Sequence, residues 1–389
     1  MCIRDRHGFD REALSALAAV TFDGDVWAVP EGTIVFPEEP LLEVTASLPV
    51  AQLLETVVLN QITYQTAIAS KAARCRLAAD GKARLVDFSF RRTHGLEAGL
   101  AAARASAIAG FHGTSNTEAA RRFGLEAVGT MAHSYVEAFP GEREAFTAFL
   151  EDFPGQATLL VDTYDTSIGV DRAIAAARAA DRASGGAVRL GVRLDSGDLG
   201  SLAVEARRRL DGAGLPGATI VASSSLDEDQ IARLIASGAP IDVFGVGTRM
   251  GVSADAPSLD SVYKLVEHDG RPVMKLSPGK ETKPGPKQVY RFTGRGYDRL
   301  ACRAEEPPPG AAPLLEPVMV AGHRVGPITG SPEEIVAAAR ARFDTQLADL
   351  PQTLRDLGPG PPYRVEVSEA LAELTRTTIE RIGETGSGP

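Results

Sequence analysis

Between Leu85 and Val246 the chain alternates short apolar runs with amphipathic segments of helical period, and it does so six times. The spacing predicts strands at Leu85–Phe90, Glu126–Thr130, Thr158–Val161, Val188–Leu194, Ala218–Ala222 and Ile241–Val246. Helices are predicted between and after them, at Leu96–Ala109, Asn116–Phe123, Arg143–Asp152, Ser167–Ala183, Leu199–Ala213 and Glu228–Ser237. A strand reached through a helix returns to the same end of the sheet, so these strands run parallel. Six such units fit either an open doubly wound sheet or an α/β barrel. The barrel is the better reading, because polar, chemistry-bearing residues follow nearly every strand rather than one switch point.

The flanks have another texture. Val26–Val29 and Thr33–Phe36, separated by Pro30-Glu31-Gly32, read as a small antiparallel β unit, followed by a long helix over Val50–Arg76 with Leu54, Val57, Val58, Ile62 and Ile68 on one face. After Ser258, strands are predicted at Val262–Val266, Val273–Leu276 and Val289–Phe292, interrupted by a Pro/Gly/Lys-rich loop from Ser277 to Lys287. Glu305–Pro313 reads as a proline-rich linker, Pro332–Leu347 and Ser368–Arg381 as helices, and Gly383–Pro389 as a frayed end. This divides the chain into a β-rich unit with a long helix (1–82), the α/β barrel (83–258), a β-rich segment (259–330) and a helical carboxyl-terminal part (331–389).

With 389 residues, 44% of them hydrophobic, a large core is affordable. The net charge of −10 argues against nucleic-acid or anionic-membrane partners, which require basic excess. A local group of arginines can still hold a small anion. Cys2, Cys75 and Cys302 are scattered without a C-x-x-C pair, no run of 18 apolar residues exists, and Met1–Arg6 lacks the apolar stretch of a signal peptide. The cytoplasm is the expected compartment.

Candidate chemistry gathers at the ends of the predicted strands. Arg91-Arg92 can fork onto a phosphate or diphosphate, or form a solvated pair. Gly113-Thr114-Ser115 before Asn116 reads as a helix N-cap cluster whose amides also suit an anion. His133, in Gly129-Thr130-Met131-Ala132-His133, can act as a general base or accept a phosphoryl group; its surroundings lack the partners of a zinc site. Arg193 emerges from the apolar run Leu190-Gly191-Val192, which a carboxylate-bearing ligand would explain, while Asp195 and Ser196 read as caps of the next helix. Gly245, Gly247 and Thr248 have a phosphate-cradling composition, and Ser223-Ser224-Ser225 adds hydroxyls. Lys280, Lys283 and Lys287 read as a solvated charge run. These residues fit an enzyme for a phosphorylated substrate, open between phosphoryl transfer, glycosyl transfer and aldol chemistry; the last is disfavoured because no lysine stands at a strand end.

Taken in order, Phe90-Arg91-Arg92, Gly113 to Asn116, Gly129 to Val136, Leu160 to Tyr164, Gly191 to Asp198, Gly245 to Thr248 and Tyr263-Lys264-Leu265 resemble the nicotinate phosphoribosyltransferase family from about Trp27 to Ile382. The resemblance implies an irregular, type II phosphoribosyltransferase-like parallel α/β barrel, with a smaller β-rich domain built from the amino-terminal and post-barrel segments. It implies the joining of nicotinate to phosphoribosyl diphosphate in NAD salvage. ATP hydrolysis is coupled to that reaction, magnesium (Mg2+) accompanies the diphosphate, and the enzyme is a homodimer with a shared site. Carried over, His133 is the transiently phosphorylated histidine, and Thr130 and Arg193 contact nicotinate. Thr248, Gly247, Gly245, Arg91, Arg92, Asp195 and Ser223 bind phosphoribosyl diphosphate, with Asp195 also the candidate for magnesium. The chain departs from the family pattern at His94, His112 and Ser224. The family also implies a longer amino-terminal segment in place of Met1 to about His7, so that the chain as given is expected to be an inactive fragment. The alternatives are a nicotinamide- or quinolinate-using phosphoribosyltransferase and a non-catalytic phosphate-ligand-binding barrel.

Overall fold

A computed structural model describes residues 8, 10–155, 157–184, 188–279, 281–294, 296–326 and 330–386. The expectations for Met1–His7, Lys280 and the last three residues of the frayed end lie outside the described residues.

Strand β1 (Asp25–Ala28) pairs antiparallel with β2 (Leu42–Thr45), Val26 opposite Val44. The turn expected at Pro30-Glu31-Gly32 is present: the Thr33 amide donates to the Pro30 carbonyl at 3.1 Å, and Gly32 takes φ +83°. Thr33–Phe36, however, is not a strand. Its amides are taken by side chains, Ile34 donating to Gln346 Oε1 at 2.8 Å and Phe36 to Glu39 Oε2 at 2.9 Å, so no ladder forms. The helix Leu48–Ala79 is longer than expected and ends at Asp80 in the left-handed conformation. Of the five apolar residues assigned to its packed face only Ile68 is buried, because the barrel lies under the second half of the helix alone; Val57 is 60% exposed.

Seven parallel strands follow: β3 (Arg84–Asp87), β4 (Gly113–Thr114), β5 (Glu126–Ala127), β6 (Ala157–Leu160), β7 (Leu190–Leu194), β8 (Thr219–Ser223) and β9 (Val243–Val246). Their order is β5-β4-β3-β9-β8-β7-β6. Sequence neighbours are spatial neighbours throughout, and β3 pairs with β9, Asp87 opposite Val246. That is a ring in which one pair, β5 with β6, makes no ladder. The strand order never reverses, so the irregular barrel holds and the doubly wound sheet does not. Strand β4 was hidden in the cap cluster, since two residues carry no apolar run. Asn116 does cap the following helix, Thr117–Phe123, accepting the Ala119 amide at 3.1 Å.

Both faces of the parallel strands are covered, which is why they read as near-continuous apolar runs. Leu85, Leu159, Leu160, Val192, Leu194, Ile220, Phe244 and Val246 are fully buried, and the surrounding helices meet them through small residues such as Ala102, Ala173, Ala203 and Ala206. The closest approach is at Gly169 in the helix Thr166–Ser184, where a Cβ would run into the Val161 carbonyl.

Beyond the barrel come the β10 (Glu267–His268) and β11 (Arg271–Pro272) hairpin, then β12 (Lys287–Arg291), β13 (Tyr297–Cys302), β14 (Ala312–Pro313), β15 (Glu316–Val320), β16 (His323–Arg324) and β17 (Arg364–Val367). One sheet has the order β14-β12-β13-β17; in another, β15 pairs with β1 to give β16-β15-β1-β2. The smaller β-rich part is thus assembled from both flanks of the barrel, as expected. Val262–Val266 and Val273–Leu276 are not strands, and the stretch Glu305–Pro313 ends in β14 rather than being wholly linker. Lys287 is not solvated: it is buried in β12 with Nζ 3.3 Å from Glu43, which also takes Arg303. The two carboxyl-terminal helices form at Pro332–Asp349, with a Ser331/Glu334 capping box, and at Glu369–Gly386. Among the described residues no helix is long and apolar enough to cross a membrane.

Gly169→Ala should push its helix off the end of β6. Overpacking of this kind costs about 1–3 kcal/mol, to be read as a lowered urea midpoint with an unchanged slope; an unaltered midpoint contradicts the close packing.

Candidate active site

The unpaired edge between β5 and β6 is where the polar strand-end residues meet. After β5 the chain runs through Thr130 and Met131 into the short helix His133–Glu137, which His133 opens. After β6 come Asp162 and Thr163, and after β7 Asp195. His133 Nδ1 lies 3.2 Å from the Thr163 hydroxyl, and its Nε2 lies 3.7 Å from Asp195 Oδ2. The ring is therefore held from two strands and 41% exposed to the barrel mouth.

Arg193 reaches furthest. Standing in β7 with its side chain 13% exposed, it donates Nε to Ser223 Oγ at 3.0 Å and Nη1 to Thr130 Oγ1 and, at 3.3 Å, the Met131 carbonyl. Its Nη2 lies 3.3 Å from Asp195 Oδ2, and the guanidinium sits 5.8 Å from the centre of the Phe88 ring. A buried cation is tolerated when it is paired and its donors are used. Thr130, Arg193, Asp195 and Ser223 are thus brought into one polar group, which His133 joins through its 3.7 Å approach to Asp195.

Asp195 does not cap a helix. Asp198 is the residue that opens Leu199–Gly212, and Asp195 instead accepts the Ser223 hydroxyl and faces Arg193 and His133. Its position is fixed by Asp162, whose Oδ2 accepts the Asp195 amide at 3.0 Å and the Ser196 hydroxyl at 2.6 Å. Asp162 Oδ1 is buried without a protein partner. Beyond Ser223 the chain turns through two serines with positive φ, Ser224 at +101° and Ser225 at +45°; such backbone strain clusters at functional sites.

Gly245 lies in β9 and Gly247 and Thr248 follow it, on the opposite side of the ring from the unpaired edge. Phe88 connects the two regions: a Cβ on Gly245 would stand 2.6 Å from its ring, so glycine there leaves room for the ring against β9. Thr248 is exposed at the start of the short helix Thr248–Gly251, against which the turn Phe90–Arg92 packs. Arg91 and Arg92 are exposed on that turn, and their side chains have no hydrogen-bonding or ionic partner among the described residues. They stand apart from the Arg193 group, on the same mouth. Asp87, buried at the end of β3, accepts the Ser89 amide at 2.8 Å and the Thr114 hydroxyl at 2.7 Å; burial, opposed by those bonds, raises its pKa above the usual carboxylate range. It braces the turn that carries the two arginines.

Sequence reasoning gave no role to Asp162, Thr163 or Phe88. Asp162-Thr163 directly follows a predicted strand, so the rule that found His133 could have found them; Phe88 lay inside a strand predicted too long. His112 points away from this mouth, to a cavity of about 460 Å3 at the amino-terminal end of the barrel. The cations there are engaged: Arg340 donates to the Gly110 and Phe111 carbonyls, Arg76 pairs with Asp344 and Arg84 with Glu126.

A sequence model of the nicotinate phosphoribosyltransferase (NAPRTase) family matches residues 83–293. The chain is 48% identical to a nicotinate phosphoribosyltransferase of Mycobacterium tuberculosis, across 95% of its own length and 78% of that protein's. It is 33% identical to the Homo sapiens nicotinate phosphoribosyltransferase across 90% of its length and 79% of the human chain. The crystal structure of the human nicotinic acid phosphoribosyltransferase superposes with a TM-score of 0.84 at 30% identity, covering 96% of this chain and 86% of that one.

Asp162→Ala removes the acceptor that anchors two donors of the Asp195 loop. Charged hydrogen bonds are worth roughly 1.5–3 kcal/mol each, so amide exchange over residues 195–198 should accelerate well beyond that of the β7 core. Unchanged protection of this loop counts against the anchoring role.

Proposed function

This chain belongs to the nicotinate phosphoribosyltransferase family, and from that premise we propose how its barrel mouth performs the reaction: nicotinate, phosphoribosyl diphosphate, ATP and water give nicotinate mononucleotide, pyrophosphate, ADP and phosphate. The chain is an enzyme of NAD salvage; the roles of its residues are the proposal. The observation that carries it is a guanidinium, Arg193, set at a strand end beside the Phe88 ring and sharing the Asp195 carboxylate with the His133 imidazole. A pyridine carboxylate uses both the guanidinium and the aromatic ring: its ring lies against Phe88, and its carboxylate takes an Arg193 donor that a protein group holds in its absence, with Thr130 beside it.

Glycosyl transfer breaks the bond from ribose C1 to the diphosphate and forms the bond from C1 to the pyridine nitrogen. The transition state carries positive charge on the sugar and growing negative charge on the diphosphate, so catalysis rests on positioning and on cations for the departing group. The unpartnered Arg91 and Arg92 supply those cations, Thr248 with the glycines of the β9 end receives the 5-phosphate, and Ser223 and Asp195 face the ribose. Magnesium, which neutralises diphosphate charge when bound, fits this mouth as a guest of the substrate. No three metal-ligating side chains converge among the described residues, so Asp195 and the unpartnered Asp162 Oδ1 would be its protein oxygens.

His133 is proposed as the phosphoryl acceptor from ATP. An imidazole partly open to solvent, oriented through Nδ1 by the Thr163 hydroxyl with Nε2 3.7 Å from Asp195, supports that role. A homodimer is part of the same reading. It is supported by the exposed apolar side chains Leu53 and Val57 on the long helix and by Val262 and Leu265 in the segment tied to that helix through the Thr63–Ser261 bond. A cytoplasmic setting is supported by the free thiols of Cys75 and Cys302.

His133→Ala should abolish both ATP stimulation and acid-labile phosphate incorporation from γ-labelled ATP while slow ATP-independent transfer continues; label retained on the variant refutes the assignment. In competition, nicotinate should outcompete nicotinamide. Arg193→Ala should shrink that preference by about tenfold to a hundredfold, the worth of a charged hydrogen bond; a preference left intact removes Arg193 from carboxylate recognition.

A further inference from the structure

A second cluster of buried ionisable groups lies far from the mouth, where the segment between β1 and β2 meets β12, β13 and the carboxyl-terminal part of the chain. Arg291 in β12 forks onto Asp298 in β13, with Nη2 2.7 Å from Oδ2 and Nε 3.0 Å from it. The remaining guanidinium nitrogen, Nη1, donates to the Ile34 carbonyl at 2.6 Å and to Gln346 Oε1 at 3.1 Å. Tyr363 donates its hydroxyl to Asp298 Oδ1 at 3.0 Å and stacks on Phe36, ring centres 3.5 Å apart. Into this group projects Glu39, whose side chain is 1% exposed, beside an Asp298 side chain with no exposure at all. Glu39 Oε2 accepts the Phe36 amide and stands 3.7 Å from Arg291; Oε1 is buried with no partner.

The charges do not balance if every acid is ionised. The ionisable groups around Glu39 are Arg291 from β12, Asp298 from β13 and Tyr363 from the segment before β17, while the neutral Gln346 from the helix Pro332–Asp349 takes Arg291 Nη1. One guanidinium, already committed to Asp298, would have to neutralise two buried carboxylates, an arrangement that drives one of them to take up a proton. Asp298 holds the fork and the phenol. Glu39 holds the orphaned oxygen.

We propose that Glu39 is protonated at neutral pH, donating from Oε1 to the Asp298 carboxylate, and that this proton latches the Phe36–Glu39 segment onto the β12–β13 sheet until alkali removes it. Burial first, then the hydrogen bond and charge of Asp298, push the Glu39 carboxyl up to about 8, against the opposing pull of the Phe36 amide and Arg291. Burial and Asp298 also raise the Tyr363 phenol, which keeps it a donor. Because the folded form holds a proton that the unfolded carboxyl releases in its ordinary acidic range, the stabilisation is complete below that range and is lost as pH rises through about 8. The latch is independent of the catalytic reading.

The test is thermal unfolding of the full chain from about pH 6 to pH 10, wild type against Glu39→Gln, whose amide keeps an acceptor for Phe36 and a donor for Asp298. Wild type should lose several degrees of Tm between pH 6 and about pH 8 and level off above it, and the glutamine variant should lose far less over the same interval. In wild type alone, amide exchange over residues 33–41, corrected for intrinsic rates, should accelerate by about tenfold or more between pH 7 and pH 9.5 relative to barrel peptides. Parallel Tm curves for the two proteins, or exchange in this segment that tracks the barrel, overturn the proposal.

Discussion

Arg193 does two things with one guanidinium, and most of the barrel mouth depends on both. Strand β5 is two residues long and makes no ladder with β6, so the ring has a gap that backbone hydrogen bonds leave open. Arg193 spans it from β7 to Thr130 and Met131, and the His133–Thr163 contact crosses it a second time. The side chains proposed to meet substrate are therefore also those that close the ring. A bridge between strand ends can shift by less than an ångström when a ligand takes one of its donors, which a continuous ladder resists. Removing one partner of such a buried pair typically costs about 3–5 kcal/mol, so substitutions here act on folding and on recognition together.

The rest of the mouth works by contrast with that crowded group. Arg193 has every nitrogen engaged, whereas Arg91 and Arg92 have no partner among the described residues. A cation held by several protein groups is preorganised for a small carboxylate arriving in one orientation. Two unheld cations on a short exposed turn suit a flexible, highly charged diphosphate. Asp87 keeps that turn in place from within the core, through hydrogen bonds rather than an opposing charge. The net charge of −10 is no obstacle, because the field a ligand meets is set by these local groups.

Strand-end logic made much of this legible in the sequence. Parallel strands buried on both faces leave an apolar signature, and their carboxyl ends pick out Thr130, His133, Arg193 and Thr248 directly. What escaped was everything set by pairing across long distances. Strand β4 is too short to carry periodicity, β15 lies in a stretch opened by Glu316-Pro317, and Thr33–Phe36 has the composition of a strand but spends its amides on Gln346 and Glu39. Lys287 belonged to what looked like a solvated lysine loop until Glu43, remote in sequence, supplied its counter-charge. Asp162 shows the same limit: its role is to hold a loop that begins thirty-three positions later.

The pairing of β1 with β15 has a bearing on how the molecule is made. Trp27 and Ala28 lie opposite Pro317 and Glu316, and the Ala321 amide reaches Asp25 across 296 positions. On the ribosome the first strand emerges long before its partner exists, and the whole barrel is synthesised in the interval. Contacts between such distant segments are slow to form because the entropy of closing the intervening chain must be met first. Until synthesis reaches Val320, β1 has only β2 beside it, a two-stranded ribbon with a free edge, marginal by itself. Between the synthesis of β1 and that of β15 the nascent chain thus carries an exposed strand edge, a point where a chaperone, or a neighbouring unfinished chain, would take hold.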